Sequence, residues 1–538
     1  MDAKSQPRVA LLNTAPLPDT PLPQWPGQLD TPARFAHAAL AHSAKNPHRP
    51  AISARGKDWT YGELAAAVDA ATAMLRDYGV RRGDRIMLVG ENGLGLAAFI
   101  LAAGLLDCCA VLENARRAQF EVNAIRAHAQ PQLTLYFSEE SSDAAEHGRR
   151  NDAAPVELPY IGAFMVKREL GDSTPDAIDG TSNDIAALIY TTGTTGTPKG
   201  VMLTHANLLY LGAMMIRLRK LDACDRIYGV LPITHVMGLV AVFGATLRAG
   251  AHVHLVARFS PAHCLHALET ENISVLQGAP AMFSKLADQA HKRRVNAPAL
   301  RFIAAGGAPI DPTVMADADA LFGLPLHNGY GLTEGSGLCW TRLDAARTDC
   351  SVGLPLPGVE IRLLSPDGIP VADGEVGELW ARGPNVMKGY YRNPALTAHI
   401  MRPGGWFNTQ DLARVDQSGH VFIEGRTKDL IISSGFNVYP LEVENALNSH
   451  PGIVQSAVVP RNLGGNEEVI AFIERAEDFV LTAHELRQHL AERLSPYKRP
   501  REVYVVSQLP SSPNGKVLKH QLKGLAQTPD PEGVVRLL

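Results

Sequence analysis

Residues 186–200 read AALIYTTGTTGTPKG, a short apolar run that empties into five threonines, three glycines and one lysine. The apolar run is expected to be a strand. The loop behind it can turn backbone N–H groups and hydroxyls toward an anion, and Lys199 adds a point charge suited to phosphate oxygens. This is not a Walker A loop. GxxxxGK[ST] needs glycine before the lysine and serine or threonine after it, whereas Pro198 and Gly200 stand there. A P-loop kinase or ATPase is thereby disfavoured. A flexible linker shares the composition, but linkers seldom follow a strand and close on Pro-Lys-Gly.

Outward from this loop, from about residue 32 to 424, helical stretches alternate with short apolar or β-branched runs, the pattern of α/β layers. Val275-Leu276-Gln277 runs into GAP, and residues 301–305 run into GGAP. Ligands of open α/β sheets gather at the carboxyl ends of strands, so these loops are expected to share one site. Beyond Gly425 a smaller unit begins. Pro440 suits the first position of a helix over residues 441–448, and Thr482-Ala483-His484-Glu485 reads as a capping box ahead of Leu486, Leu490 and Leu494, with Ser495-Pro496 as its stop. Between the two units, GRTKDLIISSG (425–435) is the expected hinge, a polar turn that can change its angles without unpacking a core.

With 538 residues, 46% of them hydrophobic, the chain can bury several cores, so more than one domain is expected. The net charge of −4 carries no basic block, which points away from nucleic acid and anionic membrane and toward small partners. Six cysteines lie scattered without CxxC spacing, so reduced, mostly buried thiols are expected. The proline-rich N-terminus (1–31) reads as an extended tail rather than a secretory signal, and a cytoplasmic location is expected. The most apolar window, residues 94–106, falls short of the ~20 residues that span a bilayer and is ended by Asp107, so it reads as a buried helix.

Further motifs follow the loop in order: AAGGAP (304–309), NGYGLTE (328–334), GELWARGPNVMKGYYRNP (377–394), GWFNTQDLARVD (405–416), GRTKDLIISSGFNVYPLEVE (425–444) and PSSPNGKVLK (510–519). Together with the threonine–glycine loop, this series resembles the adenylate-forming enzymes: acyl-CoA synthetases, luciferases and peptide-synthetase adenylation domains. The resemblance implies an α/β fold with a large, multi-subdomain N-terminal AMP-binding domain (1–427) and a small, mobile α+β C-terminal domain (428–538). It implies an ATP-dependent acid–thiol ligase that forms an acyl-adenylate, releases pyrophosphate and passes the acyl group to coenzyme A, with Mg²⁺ accompanying ATP.

By the same resemblance, the nucleotide site comprises Thr191, Thr192, Gly193, Thr194, Thr195 and Lys199 around the phosphates, and Gly306, Gly307, Ala308, Pro309, Asn328, Gly329, Tyr330 and Gly331 around the adenine. Thr333 would hold the α-phosphate, Glu334 the metal, and Asp411 and Arg426 the ribose. Two anions must meet when a carboxylate attacks the α-phosphorus, so positive charge is obligatory, and Lys516 is the mobile catalytic lysine that would supply it at the transition state. The family usually has Thr-Gly-Asp where this chain has Thr409-Gln410-Asp411, which puts the local turn in doubt. Lys428 takes the pivot position, and Ser434, Gly435 and Phe436 face the coenzyme A tunnel. His235, Val236, Met237, Gly306, Gly331, Leu332 and Leu338 compose an apolar acyl pocket without the aspartate that amino-acid-activating domains place near it, so a fatty or aryl acid is expected. Loading of an acyl carrier protein is the alternative acceptor chemistry. A non-catalytic binding relative is disfavoured by the retention of Lys199, Glu334, Asp411, Arg426 and Lys516.

Overall fold

A computed structural model describes residues 33–169, 174–192, 198–291, 293–433, 436–463, 466–476, 479–511, 517–528 and 535–538. The N-terminal tail over 1–31, Gly193, Thr194, Thr195, Ser434, Gly435 and Lys516 lie outside the described residues.

The apolar window becomes the helix Leu94–Leu105, in which every residue but Leu105 is buried. A helix apolar all round must sit inside the protein or in lipid, and this one packs between other elements of the largest core. Among the described residues no helix is long and apolar enough to cross a membrane. Asp107, at φ 54°, turns the chain out of the helix.

Two large sheets follow from the strand–helix alternation. Six parallel neighbours, Leu326–Tyr330, Phe302–Gly306, Val275–Gly278, Arg226–Gly229, His252–Leu255 and Pro50–Ala54, form the body of a nine-stranded sheet. Parallel neighbours need crossovers. The helices Pro261–Thr270, Pro280–Gln289 and Pro312–Phe322 supply them, each starting on a proline, and two of them on a Ser260 or Asp311 cap. From Arg226–Gly229 the chain goes first to one neighbour, His252–Leu255, and then returns to the other, Val275–Gly278. The order therefore reverses there, and such a switch point opens a crevice at the carboxyl ends of the two strands. An eight-stranded sheet carries the threonine–glycine loop between Ile185–Thr192 and Pro198–Thr204.

The layered α/β pattern expected up to residue 424 stops earlier. From Glu360 onward the chain forms an antiparallel sheet, Glu360–Leu364, Gly377–Arg382, Trp406–Val415, Met401–Arg402 and Val421–Arg426, with only the short helix Pro394–Ile400 among them. Asp367-Gly368 and Ser418-Gly419 provide positive-φ glycines (77° and 84°) at its turns, a local signal for reversal rather than crossover.

The small unit has its own cores. Ile431, Val438, Val443, Leu447, Leu486 and Leu490 pack on one side of the sheet Ile453–Leu463, Asn466–Arg475, Glu502–Val506 and Val535–Arg536, with Ala457, Phe472, Tyr504 and Leu522 on the other. The large core reaches Val421 with Ile423 at its margin, so apolar packing divides between Ile423 and Ile431. Helix starts follow the sequence: Pro440–Asn448 begins on its proline, and Thr482 and Glu485 exchange the two capping-box bonds at 3.3 and 3.1 Å. Of the six cysteines, Cys108, Cys109, Cys264 and Cys339 are buried and none is paired.

Candidate active site

The threonine–glycine loop closes a β-hairpin. Thr192 lies opposite Pro198, Thr191 opposite Lys199 and Tyr190 opposite Gly200. Lys199 therefore stands on the returning strand, and the first helix, His205–Arg219, begins only after it. This explains why the loop lacks the Walker pattern: it has no helix N-terminus to lend its dipole, and its charge must come from side chains.

Lys199 Nζ lies 5.9 Å from the ring centre of Tyr390, whose hydroxyl donates to Glu334 Oε1 at 2.8 Å. Burial, followed by the Glu334 carboxylate, pushes the Tyr390 phenol well up, so it stays protonated and remains a donor. Tyr390 reaches this place because Gly389–Tyr390 pairs with Val201 and Met202 on the strand that carries Lys199. The Met387 N–H donates to the Glu334 carbonyl at 2.8 Å and fixes the loop from the same segment. Thr333, buried, opens the short 3-10 turn Thr333–Gly335 that presents Glu334.

A second cluster joins the two strand systems. Tyr330 donates to Asp411 Oδ2 at 2.5 Å, and Arg426 Nε pairs with Asp411 Oδ1 at 3.0 Å. Each carboxylate oxygen keeps a free lone pair, enough for two neighbouring hydroxyls. Burial is the largest influence on the Arg426 pKa and lowers it, but Asp411, Tyr330, Asp429 and Glu334 together outweigh it and the net shift is upward. The departure at Gln410 has a structural answer: this residue adopts φ 59°, a left-handed conformation, while exposed, and its N–H is held by Asn408 Oδ1 at 2.7 Å. The turn that glycine would make is kept at a cost of about 1 kcal/mol, and Thr409 and Asp411 both remain buried, with Thr409 Oγ1 accepting from the Asp411 N–H at 3.1 Å.

The glycines between these clusters are fixed by close approach. A Cβ on Gly329 would lie 2.2 Å from the Trp340 ring, and one on Gly331 2.4 Å from the Ser336 carbonyl oxygen. Gly307, at φ 83°, turns the chain after the strand Phe302–Gly306 so that Ala308 and Pro309 reach the surface of the cleft. A Cβ on Gly306 would meet Met237 Cε at 2.9 Å. Asn328 is tied to the protein itself, donating to the carbonyls of Cys350 and Ser351 at 3.2 and 3.3 Å. Of the residues expected to line the acyl pocket, His235, Met237, Gly331 and Leu332 are half-buried, whereas Val236 and Leu338 are packed into the core. In the segment expected to act as the hinge, Lys428 lies in the 3-10 turn Thr427–Asp429; burial, then Arg426, Lys523 and Lys199, hold its ammonium below the usual lysine range. Phe436 is exposed and stacks on Tyr497 at 4.6 Å.

The family model described as AMP-binding enzyme matches residues 39–391, and the one described as AMP-binding enzyme C-terminal domain matches 442–516. The chain belongs to the AMP-binding enzyme family. A feruloyl-CoA synthase from an Amycolatopsis species is 34% identical over 482 residues, which cover 89% of this chain and 96% of that relative. An indoleacetate–CoA ligase from Aromatoleum aromaticum is 30% identical over 495 residues, 90% and 96% of the two chains. The crystal structure of ATP-bound MatB from Rhodopseudomonas palustris superposes with a TM-score of 0.82 at 28% identity, covering 92% of this chain and 99% of that one. This AMP-binding enzyme is an acid–thiol ligase with the two-part α/β architecture of adenylate-forming proteins.

Two residues packed around these clusters of the AMP-binding enzyme had no assignment from sequence. Tyr390 is one. Asn385, fully buried, donates to the Gly335 and Gly337 carbonyls at 2.6 and 2.5 Å and clamps the loop that carries Glu334. Met237, which the sequence reading did place in the acyl pocket, opens a π-helix, Met237–Gly244, a form that is rare and concentrated at functional sites. The GYYRNP motif flagged the neighbourhood of Tyr390, but not which tyrosine faces inward.

Proposed function

We propose that this enzyme activates an aryl or arylalkyl carboxylic acid as its acyl-adenylate and transfers the acyl group to coenzyme A. The observation that carries the reading is the near full-length likeness to ligases named for feruloyl and indoleacetyl substrates, in a chain that keeps Lys199, Glu334, Asp411 and Arg426 in connected clusters. The half-buried Met237 beside Gly306 offers the acid an apolar surface.

In the first step the acid's carboxylate oxygen bonds to the α-phosphorus of ATP and the bond to pyrophosphate breaks. Lys199 approaches the phosphates from the hairpin, Thr333 orients the α-phosphate, and Lys516 places its charge where charge develops in the transition state. Asp411 accepts from the ribose hydroxyls while Tyr330 and Arg426 hold it in place. Among the described residues no group of three or more His, Cys, Asp or Glu converges, so a divalent cation would be held by one protein carboxylate together with the nucleotide. Glu334 fits that part: Tyr390 engages one carboxylate oxygen and, among the described residues, leaves the other available. Magnesium bound with ATP would neutralise the phosphate charge.

In the second step rotation about Lys428 brings the Ser434-Gly435-Phe436 loop toward the cleft; the coenzyme A sulfur bonds to the acyl carbon and AMP leaves. The test is a panel of aryl, aliphatic and sulfonated acids assayed for pyrophosphate release, followed by product analysis with coenzyme A or a purified carrier protein. Aryl acids giving coenzyme A thioesters support the reading. Activity confined to aliphatic or sulfonated acids, or thioester formed only on the carrier, refutes it.

A further inference from the structure

Asn92 lies between the strand Arg85–Gly90 of the eight-stranded sheet and the buried helix Leu94–Leu105, and it is 3% exposed. Among the described residues, its side-chain hydrogen bonds all run to the other large sheet. Nδ2 donates to the carbonyls of Gly229, Leu231 and Val256 at 2.9, 3.0 and 3.1 Å, and Oδ1 accepts from the Ile233 N–H at 2.8 Å. An asparagine amide carries two hydrogens, so the three carbonyls share them and none is left for a ligand. Glu91 beside it makes the same crossing, paired with Arg258 Nε and Nη2 at 2.9 and 3.0 Å. The carboxyl ends of two separate sheets are thus stapled together through the dipeptide Glu91-Asn92.

The groups that Asn92 binds are concentrated at one place. Gly229 ends the strand Arg226–Gly229, where the sheet order reverses and a crevice opens, and Leu231 and Ile233 belong to the loop that leaves it. Backbone groups at 229, 231 and 233 therefore wrap one amide, which serves as the loop's template. The same loop carries His235, whose N–H donates to the Pro232 carbonyl at 2.9 Å, and the π-helix Met237–Gly244 begins directly after it. That helix rests on the loop without a gap: a Cβ on Gly238 would lie 2.0 Å from the Pro232 carbonyl oxygen and 2.5 Å from that of Leu231. The Leu231 carbonyl is held by Asn92 on one side and packed by Gly238 on the other. Met237, the neighbour of Gly238, brings its Cε to Gly306.

Resting on the placement of the acid against Met237 described above, we propose that Asn92 is a positioning residue for activation of the acid. Its amide sets where the loop 229–233 stands, and through that loop where His235 and Met237 stand at the acid end of the cleft. The residues expected around the nucleotide are held elsewhere, through Asn328, Asn385 and Tyr390, so loss of Asn92 acts on the acid rather than on ATP. Groups on a loop are placed only as well as the scaffold beneath them, and a misplacement of about 1 Å caused by a change remote from the chemistry can cost roughly 100-fold.

The test measures kcat and the KM values for acid and ATP by acid-dependent pyrophosphate release from the full-length enzyme, wild type, Asn92→Ala and Met237→Ala. It uses the most active acid of the panel above, so the outcome does not depend on which class that acid belongs to. Asn92→Ala is expected to raise the KM for the acid at least about tenfold, with the KM for ATP within about twofold of wild type, and Met237→Ala should move the KM for the acid as well. A merely structural loss lowers the active fraction and with it kcat, leaving both KM values where they are. Should Asn92→Ala fail to fold, Asn92→Ser, which keeps one donor, carries the same expectation; if neither folds, Asn92 serves the fold alone and the inference falls. If Met237→Ala moves the KM for the acid and Asn92→Ala does not, the acyl surface stands and this inference falls. If neither moves it, the acyl surface is misplaced and the inference falls with it. Equal rises for acid and ATP would make Asn92 a support of the whole cleft and overturn the inference too.

Discussion

Tyr390→Phe removes one oxygen and leaves the ring that packs beside Lys199. The lost hydroxyl donates to Glu334 Oε1 at 2.8 Å, and a hydrogen bond to a charged acceptor contributes about 1.5–3 kcal/mol. Glu334 is half-buried, so water can replace part of the bond and the lower figure applies, about 1.5 kcal/mol or roughly tenfold in rate. Because the bond positions a carboxylate assigned to the metal–phosphate end, the loss should fall on adenylation. We expect kcat/KM for ATP to drop about tenfold, the magnesium dependence to shift, and the KM for the acid and the melting temperature to stay near wild type. The assay is acid-dependent pyrophosphate release over a matrix of ATP and magnesium concentrations. A kcat/KM for ATP within about twofold of wild type would show that Tyr390 does not position Glu334 for catalysis.

Gly306→Val pushes a branched side chain onto Met237, whose Cε already lies 2.9 Å from an added Cβ; the KM for the acid should rise at least about tenfold and by more than the KM for ATP, whose adenine the same strand end is expected to face, and a rise for ATP alone would argue against an acyl surface there. Gln410→Gly relieves the left-handed strain at φ 59° and should raise stability to urea by about 0.5–1 kcal/mol, whereas a loss would mean that the Gln410 side chain contributes more than its strain costs. Lys516→Ala should abolish adenylation but spare thioester formation from supplied acyl-adenylate; equal loss of both would contradict domain alternation. In the small unit, bidentate bonding from Arg461 holds Glu502 down to about 2 from an ordinary 4.5. Because the folded pKa is depressed, the pair stabilises above about pH 4.5 and that contribution disappears as pH falls toward 2. Hydrogen exchange in Glu502–Val506 should therefore show wild type about 1 kcal/mol more protected than Glu502→Gln at pH 7, the pair being screened by solvent, and nearly equal to it near pH 2; a pH-independent difference would refute the pairing.

What could be read from the sequence were features with a local cause. The helix Leu94–Leu105 is apolar on every side, Thr482 and Glu485 cap each other three residues apart, and Pro440 starts its helix. The hairpin that carries Lys199 was legible as a loop behind a strand, but the antiparallel return that places Lys199 opposite Thr191 was not, because only its pairing with the preceding strand shows that the chain comes back alongside it. Tyr390 and Tyr391 are adjacent and chemically alike; only pairing with Val201 and Met202 turns the first toward Glu334 and the second into another core cluster. Gln410 takes a left-handed conformation that its residue type does not advertise. Long-range contacts decide these cases, and no local pattern encodes them.

The central claim is that an enzyme-bound acyl-adenylate forms before the thiol takes part. Exchange of radiolabelled pyrophosphate into ATP, measured with an aryl acid in the absence of coenzyme A, tests it most directly. The account predicts acid-dependent exchange without coenzyme A, followed by stoichiometric AMP and thioester when coenzyme A is added. Exchange that requires coenzyme A, or release of ADP and phosphate instead of AMP and pyrophosphate, would contradict it.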